Sequence, residues 1–521
     1  MKADRRAVLG IGAAAACAAG GAFALTRPAS LPPGALDGAD LARGHRLRDG
    51  GFPPPARQEE VELLIAGGGV AGLAVGWRLM DAGFDRFQLL ELEDSVGGNA
   101  RAGRNTVSAY PLGAHYLPVP NREAGALRKM LREFRMITGE RDGVPVYDPA
   151  QLCADLQERI FWQGRWHEGL IPRTGLTERD ADDLRAFEAA MAEYSRRIGN
   201  DGKPAFAVPM AYSSTDPELR ALDGQSFAAW LDARGWRSPV LRGHVRYAMR
   251  DDYGTEPGEV SAWAGIHYFA SRRGWAADGA GGNELTWPEG NARLTQGMAR
   301  HCGKRIRPGM IVHRVARRGE GVEADCFDAA AGITIRFRAR TVILAMPHFV
   351  AARICPDIPP DPALSYAPWL VANVTLDRLP TGRGVPLAWD NISASSQSLG
   401  YVVATHQGPA AQQGATVLTW YLPLSDMAPA AARRLLIDRP ADDWKRIVRD
   451  DLLATNPELD GAIRRIDLWR WGHAMARPTP GFLRRTGAAT SRRSGRRIAT
   501  SADCRCSKRR IITASVRRRR R

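Results

Sequence analysis

Gly67-Gly68-Gly69-Val70-Ala71-Gly72 fits the pattern G-x-G-x-x-G, and the chemistry of that pattern is the cradling of a pyrophosphate. Gly67 permits a tight turn. Gly69 lets backbone amides approach the phosphates, and Gly72 lets the following helix pack closely on the preceding strand. Val70 and Ala71 open that helix, whose N-terminus faces the phosphates. Nineteen residues after Gly72 stands Glu91, at the end of a second apolar run. A carboxylate there accepts hydrogen bonds from a ribose with free hydroxyls and disfavours a 2′-phosphate. A lone glycine match is weak evidence; here a strand, a helix and an acid accompany it. No Ser/His/Asp or metal-ligating constellation occurs. The seven cysteines (Cys17, Cys153, Cys302, Cys326, Cys355, Cys504, Cys506) show neither zinc spacing nor a disulfide framework.

The elements that must position these residues can be read from the apolar pattern. Val61–Ala66 forms a short strand, Val70–Ala82 a helix and Phe87–Leu92 the next strand. Strands are expected again at 311–315, 332–337, 341–345, 370–376, 400–405 and 416–421, and a helix over 433–453. The chain of 521 residues, 44 % hydrophobic and 25 % charged, is long enough for two or three packed domains and excludes a disordered or fibrous protein. The expected fold class is α/β, a Rossmann-type dinucleotide-binding domain interleaved with a mixed α+β substrate domain.

Glu91-Leu92-Glu93-Asp94-Ser95-Val96-Gly97-Gly98-Asn99 resembles the second signature of the flavin-containing amine oxidase superfamily. In that signature an acid ending the second strand precedes a Gly-Gly pair, usually followed by Arg. Here Asn99 stands in place of that Arg, and Arg101 is the nearby cation. Pro111-Leu112-Gly113-Ala114-His115-Tyr116 resembles the stretch lying along the flavin ring. Trp287-Pro288-Glu289-Gly290-Asn291 resembles a pocket-side turn, Ile311-Val312 the strand whose backbone meets the adenine, and Val342–Pro347 the strand returning to the cofactor domain. The resemblance covers residues 60–370 and implies FAD as cofactor. It implies Gly67, Gly69, Val70, Ala71, Gly72, Glu91, Gly97, Gly98, Asn99, Arg101, Gly113, Ala114, His115 and Val312 as its binding residues.

What the resemblance implies about activity is oxidation of a small organic substrate, most simply an amine, by hydride transfer to flavin N5. Oxygen or a quinone-type acceptor would reoxidise the cofactor. The alternatives are desaturation or isomerisation of an apolar polyene, and a non-catalytic or defective flavoprotein. The superfamily often carries a lysine bonded through water to N5; no lysine here lies in a matching motif. Candidate pocket residues besides His115 are Trp389, Tyr401, Trp420 and Tyr421. On strands facing a flavin they would cage a neutral amine or attract a cation; ordinary core packing is the simpler account of each.

The two ends carry different information. Arg5-Arg6 precede an Ala/Gly-rich apolar run to Leu25, which resembles a twin-arginine signal for export of a folded protein to the periplasm. Ala22-Phe23-Ala24 is a plausible cleavage site, and Ala14–Cys17 lacks the Leu of a lipoprotein box. No other run approaches the roughly 18 apolar residues a membrane span needs. Residues 484–521 hold 15 Lys and Arg against Asp503, so +14 of the formal net charge of +17 lies there. A nucleic-acid binder would carry its basic stripe on the folded domain instead. The tail is either a basic arm or the product of a shifted reading frame. One alternative frame over 499–516 permits Asp-Leu-Ser-Gly-Leu-Ser-Leu-Phe-Glu-Glu-Ala-His-His-His-Gly-Val-Arg, which has the acidic, Gly-containing character of the superfamily's closing segment. The expected division is a signal at 1–30, a linker at 31–58 and cofactor-domain segments at 59–120, 285–368 and 466–483. Substrate-domain segments fall at 121–284 and 369–465, and a disordered tail at 484–521.

Overall fold

The computed structural model describes residues 31–407, 414–483 and, as backbone, 498–500. From the N-terminal side come β1 (Leu36–Gly38), α1 (Leu41–Asp49), β2 (Pro55–Ala66), α2 (Val70–Asp81) and β3 (Phe87–Leu90). The chain then builds β4 (Glu158–Trp162), β5 (Arg165–Glu168) and the helices α3 (Glu178–Arg196), α4 (Pro239–Tyr253) and α5 (Ala262–Ala270). It returns through α6 (Ala292–Cys302), β6 (Ile306–Arg307), β7 (Met310–Arg318), β8 (Gly321–Asp328) and β9 (Ile333–Leu344). The last part comprises β10 (Tyr366–Leu376), β11 (Asp390–Ser393), β12 (Tyr401–Val403), β13 (Thr416–Pro423), α7 (Pro429–Asp438), α8 (Ala441–Thr455), β14 (Ile463–Ala476) and β15 (Ile498–Thr500).

Two large sheets organise these elements. The first runs β6-β3-β2-β9-β8-β7, with β15 also on β9. Its centre is parallel, with Ile65 opposite Leu89 and Leu64 opposite Val342. Such strands are covered on both faces and read as unbroken apolar runs, as Leu63-Leu64-Ile65-Ala66 does. The second sheet runs β1-β14-β10-β13-β12-β11-β4-β5. Its alternate residues serve two cores. Leu370, Val374, Leu418 and Trp420 pack against Trp444, Val448 and Leu452 of α8; Trp369, Val371, Tyr421 and Trp471 form an aromatic cluster on the other face. Arg439-Pro440 divides the helix expected over 433–453 into α7 and α8, because proline lacks the amide that a continuing helix needs.

Three expectations about organisation change. Residues 31–58 are not a linker: β1 pairs in parallel with β14, α1 is capped by Asp40, and β2 begins at Pro55. The composition misleads because the first half of β2 is mostly solvent-exposed and joins the sheet through its main chain without burying apolar side chains. The boundary at residue 120 falls inside one apolar core, where Leu127, Met130 and Leu131 pack with Leu73, Val75 and Trp77 of α2. Within the tail, Ile498–Thr500 forms a parallel strand on β9, with Thr500 opposite Leu344. The rest of the tail and the signal-like residues 1–30, Cys17 included, lie outside the described residues. Among the described residues no helix is long and apolar enough to cross a membrane.

Candidate functional site

The glycine turn between β2 and α2 is shaped by close approach. Gly67 has φ of +110°, and a Cβ on it would lie 2.5 Å from the Ala345 carbonyl oxygen. A Cβ on Gly72 would lie 1.8 Å from the Gly67 carbonyl oxygen, so only glycine lets α2 pack on the strand end. Gly69 differs: its Cβ would meet nothing nearer than Gly98 Cα at 3.8 Å. It faces open space, as a residue kept small for a ligand should. The second glycine pair locks onto the first, with the Gly97 amide donating to the Gly68 carbonyl at 2.9 Å. Gly97 and Gly98 both have positive φ, at +120° and +55°.

Glu91 sits just beyond β3, 9 % exposed. Its Oε2 accepts the Gly68 amide at 2.6 Å and its Oε1 the Glu93 amide at 2.9 Å. Burial raises its pKa, opposed by those two backbone donors. Each carboxylate oxygen retains a second lone pair for a hydroxyl. Around these residues lies a cleft of about 410 Å³ lined by Gly67, Gly69, Val70, Glu91, Gly98, Asn99, Ala114 and Val312. Arg101 does not reach it. Its guanidinium pairs with Glu93 at 3.2 Å and lies over the rings of Trp469 and Trp471. Asn99 donates from Nδ2 to the Ala474 carbonyl at 2.6 Å, tying the loop to β14. Ala71, Gly72, Gly97, Gly113 and His115 stand outside the cleft lining; Gly72 and Gly97 shape it through packing and hydrogen bonding. An extended dinucleotide carrying a ring at one end fits this cleft.

A second, smaller cavity of about 40 Å³ shares Asn99, Ala114 and Trp471 with the cleft and adds Gly113, His115, Trp369 and Tyr421. The 111–116 stretch that presents His115 is held from several sides. The Asn291 amide donates to the Ala114 carbonyl at 3.0 Å, and Asn291 Nδ2 donates to the Tyr116 carbonyl at 2.9 Å. Tyr421 Oη donates to the Gly113 carbonyl at 3.0 Å, and Trp471 Nε1 to the Leu112 carbonyl at 2.5 Å. A Cβ on Gly290, whose φ is +59°, would lie 2.7 Å from Pro111 Cβ, so the turn at 287–291 clamps that stretch directly. The His115 ring stacks on Tyr421 at 4.6 Å and lies 5.6 Å from Trp389.

Tyr401 and Trp420 do not join this group. Both face the helical side of the sheet, where Tyr401 Oη bonds Asn456 and Arg159, and Trp420 Nε1 donates to Asp451 at 2.7 Å. The two-residue period of β13 sends Tyr421 to one face and Trp420 to the other. A polar group that sequence reasoning missed lies beside His115. Tyr116 Oη approaches Asp251 at 3.3 Å and accepts from Arg272 at 3.2 Å. Arg272 also faces Asp252 and Glu284, each at 3.6 Å. Tyr247 Oη donates to Asp390 at 2.9 Å. Burial, reinforced by Asp251 and opposed by Arg272, pushes the Glu158 carboxyl up to about 7. Four carboxyl groups, Asp251, Asp252, Glu158 and Glu284, thus gather around one guanidinium, with Asp390 opposite Glu158 in the sheet, and they come from segments too distant in sequence to carry a local signal.

A sequence model described as flavin containing amine oxidoreductase matches residues 70–452. An amine oxidase [flavin-containing] of Oncorhynchus mykiss is 21 % identical over 311 residues, 58 % of this chain and 53 % of that protein. The chain therefore matches about half the length of that relative. Among solved structures, a putrescine oxidase triple mutant with redesigned cofactor binding shares the fold at TM-score 0.63 and 17 % identity, over 88 % of this chain and 97 % of that one. Cyclohexylamine oxidase from Brevibacterium oxydans does so at TM-score 0.62 and 16 % identity, over the same shares. The glycine turns, Glu91 and the two adjoining cavities thus stand in a recognised framework: the chain belongs to the flavin-containing amine oxidoreductase family.

Proposed function

We propose that this protein is an exported FAD-dependent oxidoreductase that oxidises a small amine. The observation that carries the reading is that the two cavities adjoin, sharing Asn99, Ala114 and Trp471 in their walls. A cofactor seated on the glycine turns and Glu91 would extend its ring toward His115. Bound there, FAD supplies a ring nitrogen, N5, that accepts hydride. The chain's own residues bind and orient. Tyr421, Trp369 and Trp471 wall the small cavity, and aromatic faces suit a substrate that arrives as a cation and reacts as a neutral amine. None of the described lysines lines either cavity, so no lysine is assigned a role.

The carboxylates around Arg272 support an amine over an apolar polyene. An apolar polyene would gain nothing from Asp251, Asp252, Glu158 and Glu284 around Arg272. An ammonium approaching the same group is attracted. Export rests on Arg5-Arg6 and the apolar run that follows; a cofactor enclosed by two sheets favours folding before translocation. The test is turnover. Flavin-loaded protein given primary amines and either oxygen or a soluble quinone should convert amine and water to aldehyde and ammonia, with one equivalent of acceptor reduced. Absence of aldehyde with every amine and both acceptors, alongside conversion of a polyene, would overturn the reading.

A further inference from the structure

The segment that composition marks as a linker forms one wall of the cofactor cleft. Gly38, Ala39, Asp40, Leu41, Gly44 and His45 line the same cleft as Gly69, Glu91 and Val312. It is held in place at three separate points. On β14 of the second sheet, the Ile466 amide donates to the Pro33 carbonyl at 2.9 Å and the Leu468 amide to the Ala35 carbonyl at 2.8 Å. Gly34 makes this approach possible, since a Cβ there would lie 1.8 Å from the Ile466 carbonyl oxygen. On the loop after β3, the Asp40 amide donates to Glu93 Oε1 at 3.0 Å, while Arg43 Nη1 reaches the Leu92 carbonyl at 3.1 Å and Asp94 at 2.7 Å. From the last turn of α1, the Arg46 guanidinium lies 4.0 Å over the Phe327 ring, and just beyond the helix Phe52 stacks on His313 at 4.1 Å.

These anchors bridge the two sheets across the Glu91–Val312 end of the cleft. Glu93 joins the strap to the ribose-side acid: its side chain accepts from Asp40 while its amide donates to Glu91. We propose that residues 33–49 are a cofactor-retaining strap, closing over the adenosine end of the dinucleotide and controlling its release. This rests on the assignment of the cleft to FAD. A passive tether has no need of a glycine in the middle of a nine-residue helix, where glycine is markedly less favourable than alanine. Gly44 is such a glycine, and it lines the cleft with nothing within 4 Å of a Cβ built on it.

Two variants of the full chain test the strap, read by flavin dissociation rate, flavin affinity and the melting temperature of cofactor-free protein. Gly44→Leu should leave that melting temperature unchanged or higher and weaken flavin binding at least tenfold, because its side chain extends into the cleft. Gly34→Val should release flavin at least tenfold faster, by preventing β1 from docking on β14. Unaltered flavin affinity in Gly44→Leu, with the parent chain binding flavin normally, would overturn the strap and leave the cofactor assignment standing. A parent chain that binds no flavin under any condition would overturn both. If Gly34→Val unfolds, Gly44→Leu alone decides.

Discussion

Gly69→Val separates cofactor binding from folding, and the structure says by how much. A Cβ on Gly69 clears its nearest neighbour by 3.8 Å, and the residue has φ of −70°, which valine adopts without strain. The empty protein should therefore tolerate the change. The side chain would stand where the pyrophosphate must approach the start of α2. Displacing that group forfeits about two charge-assisted backbone hydrogen bonds, each contributing about 1.5–3 kcal/mol. The loss of about 3–6 kcal/mol corresponds to a dissociation constant raised about 10²- to 10⁴-fold. Gly72→Val is the contrasting control. Its Cβ would lie 1.8 Å from the Gly67 carbonyl oxygen and 3.3 Å from Ala345 Cβ, so it forces the helix from the strand and costs about 1–3 kcal/mol or more in the empty protein. Flavin content after purification and thermal melting of cofactor-free protein read the two effects independently. Undiminished flavin affinity in Gly69→Val would refute the placement of the pyrophosphate. A Gly69→Val protein as unstable as Gly72→Val would refute the packing argument.

Other outcomes follow from the two faces of β13, the buried acid and the chain ends. Tyr421→Leu should raise KM for amines about tenfold by removing one wall of the small cavity, whereas Trp420→Leu should lower stability by about 3 kcal/mol and leave KM unchanged; steady-state kinetics beside denaturant melts would show it. Glu158 has its pKa raised from 4.5 to about 7, so its contribution to stability is full below the unfolded value and is lost as pH rises through the folded one. Glu158→Gln should therefore gain about 2–3 kcal/mol over the parent near pH 8 and nothing near pH 4, and equal stabilities at both values would contradict this. Replacing Arg5 and Arg6 with lysine should hold the protein in the cytoplasm, and cell fractionation showing normal periplasmic delivery would point to the general secretory route. Resequencing the DNA that encodes residues 484–521 tests the frame; if it is shifted, the chain with the frame restored should bind flavin more tightly than the chain as written, and equal affinity would favour a genuine basic arm.

The cofactor half of the site was legible because its constraints are local. Gly67 and Gly72 are fixed by contacts of 2.5 Å and 1.8 Å that any side chain would violate, and Glu91 follows at the strand end. The strap was not legible, since β1 docks through main-chain bonds that polar, Pro-rich composition neither requires nor forbids. The facing of Trp420 and Tyr421 was also hidden: every residue of β13 is buried, so no polar alternation marks which side looks toward His115. The carboxylates around Arg272 come from β4, the end of α4 and the strand at Glu284–Thr286, and only the fold brings them together. Asn99 lines the cleft, but its partner, the Ala474 carbonyl 375 residues away, could not be read from its own motif.

The most direct measurement is an anaerobic titration of the purified flavoprotein with a panel of amines, following the flavin absorbance. A primary amine should bleach the oxidised spectrum with one equivalent consumed per flavin, and Tyr421→Leu should shift that titration to higher amine concentration. A protein that retains its flavin and is reduced by dithionite, yet keeps its oxidised spectrum with every amine offered, would contradict the assignment of an amine-oxidising site.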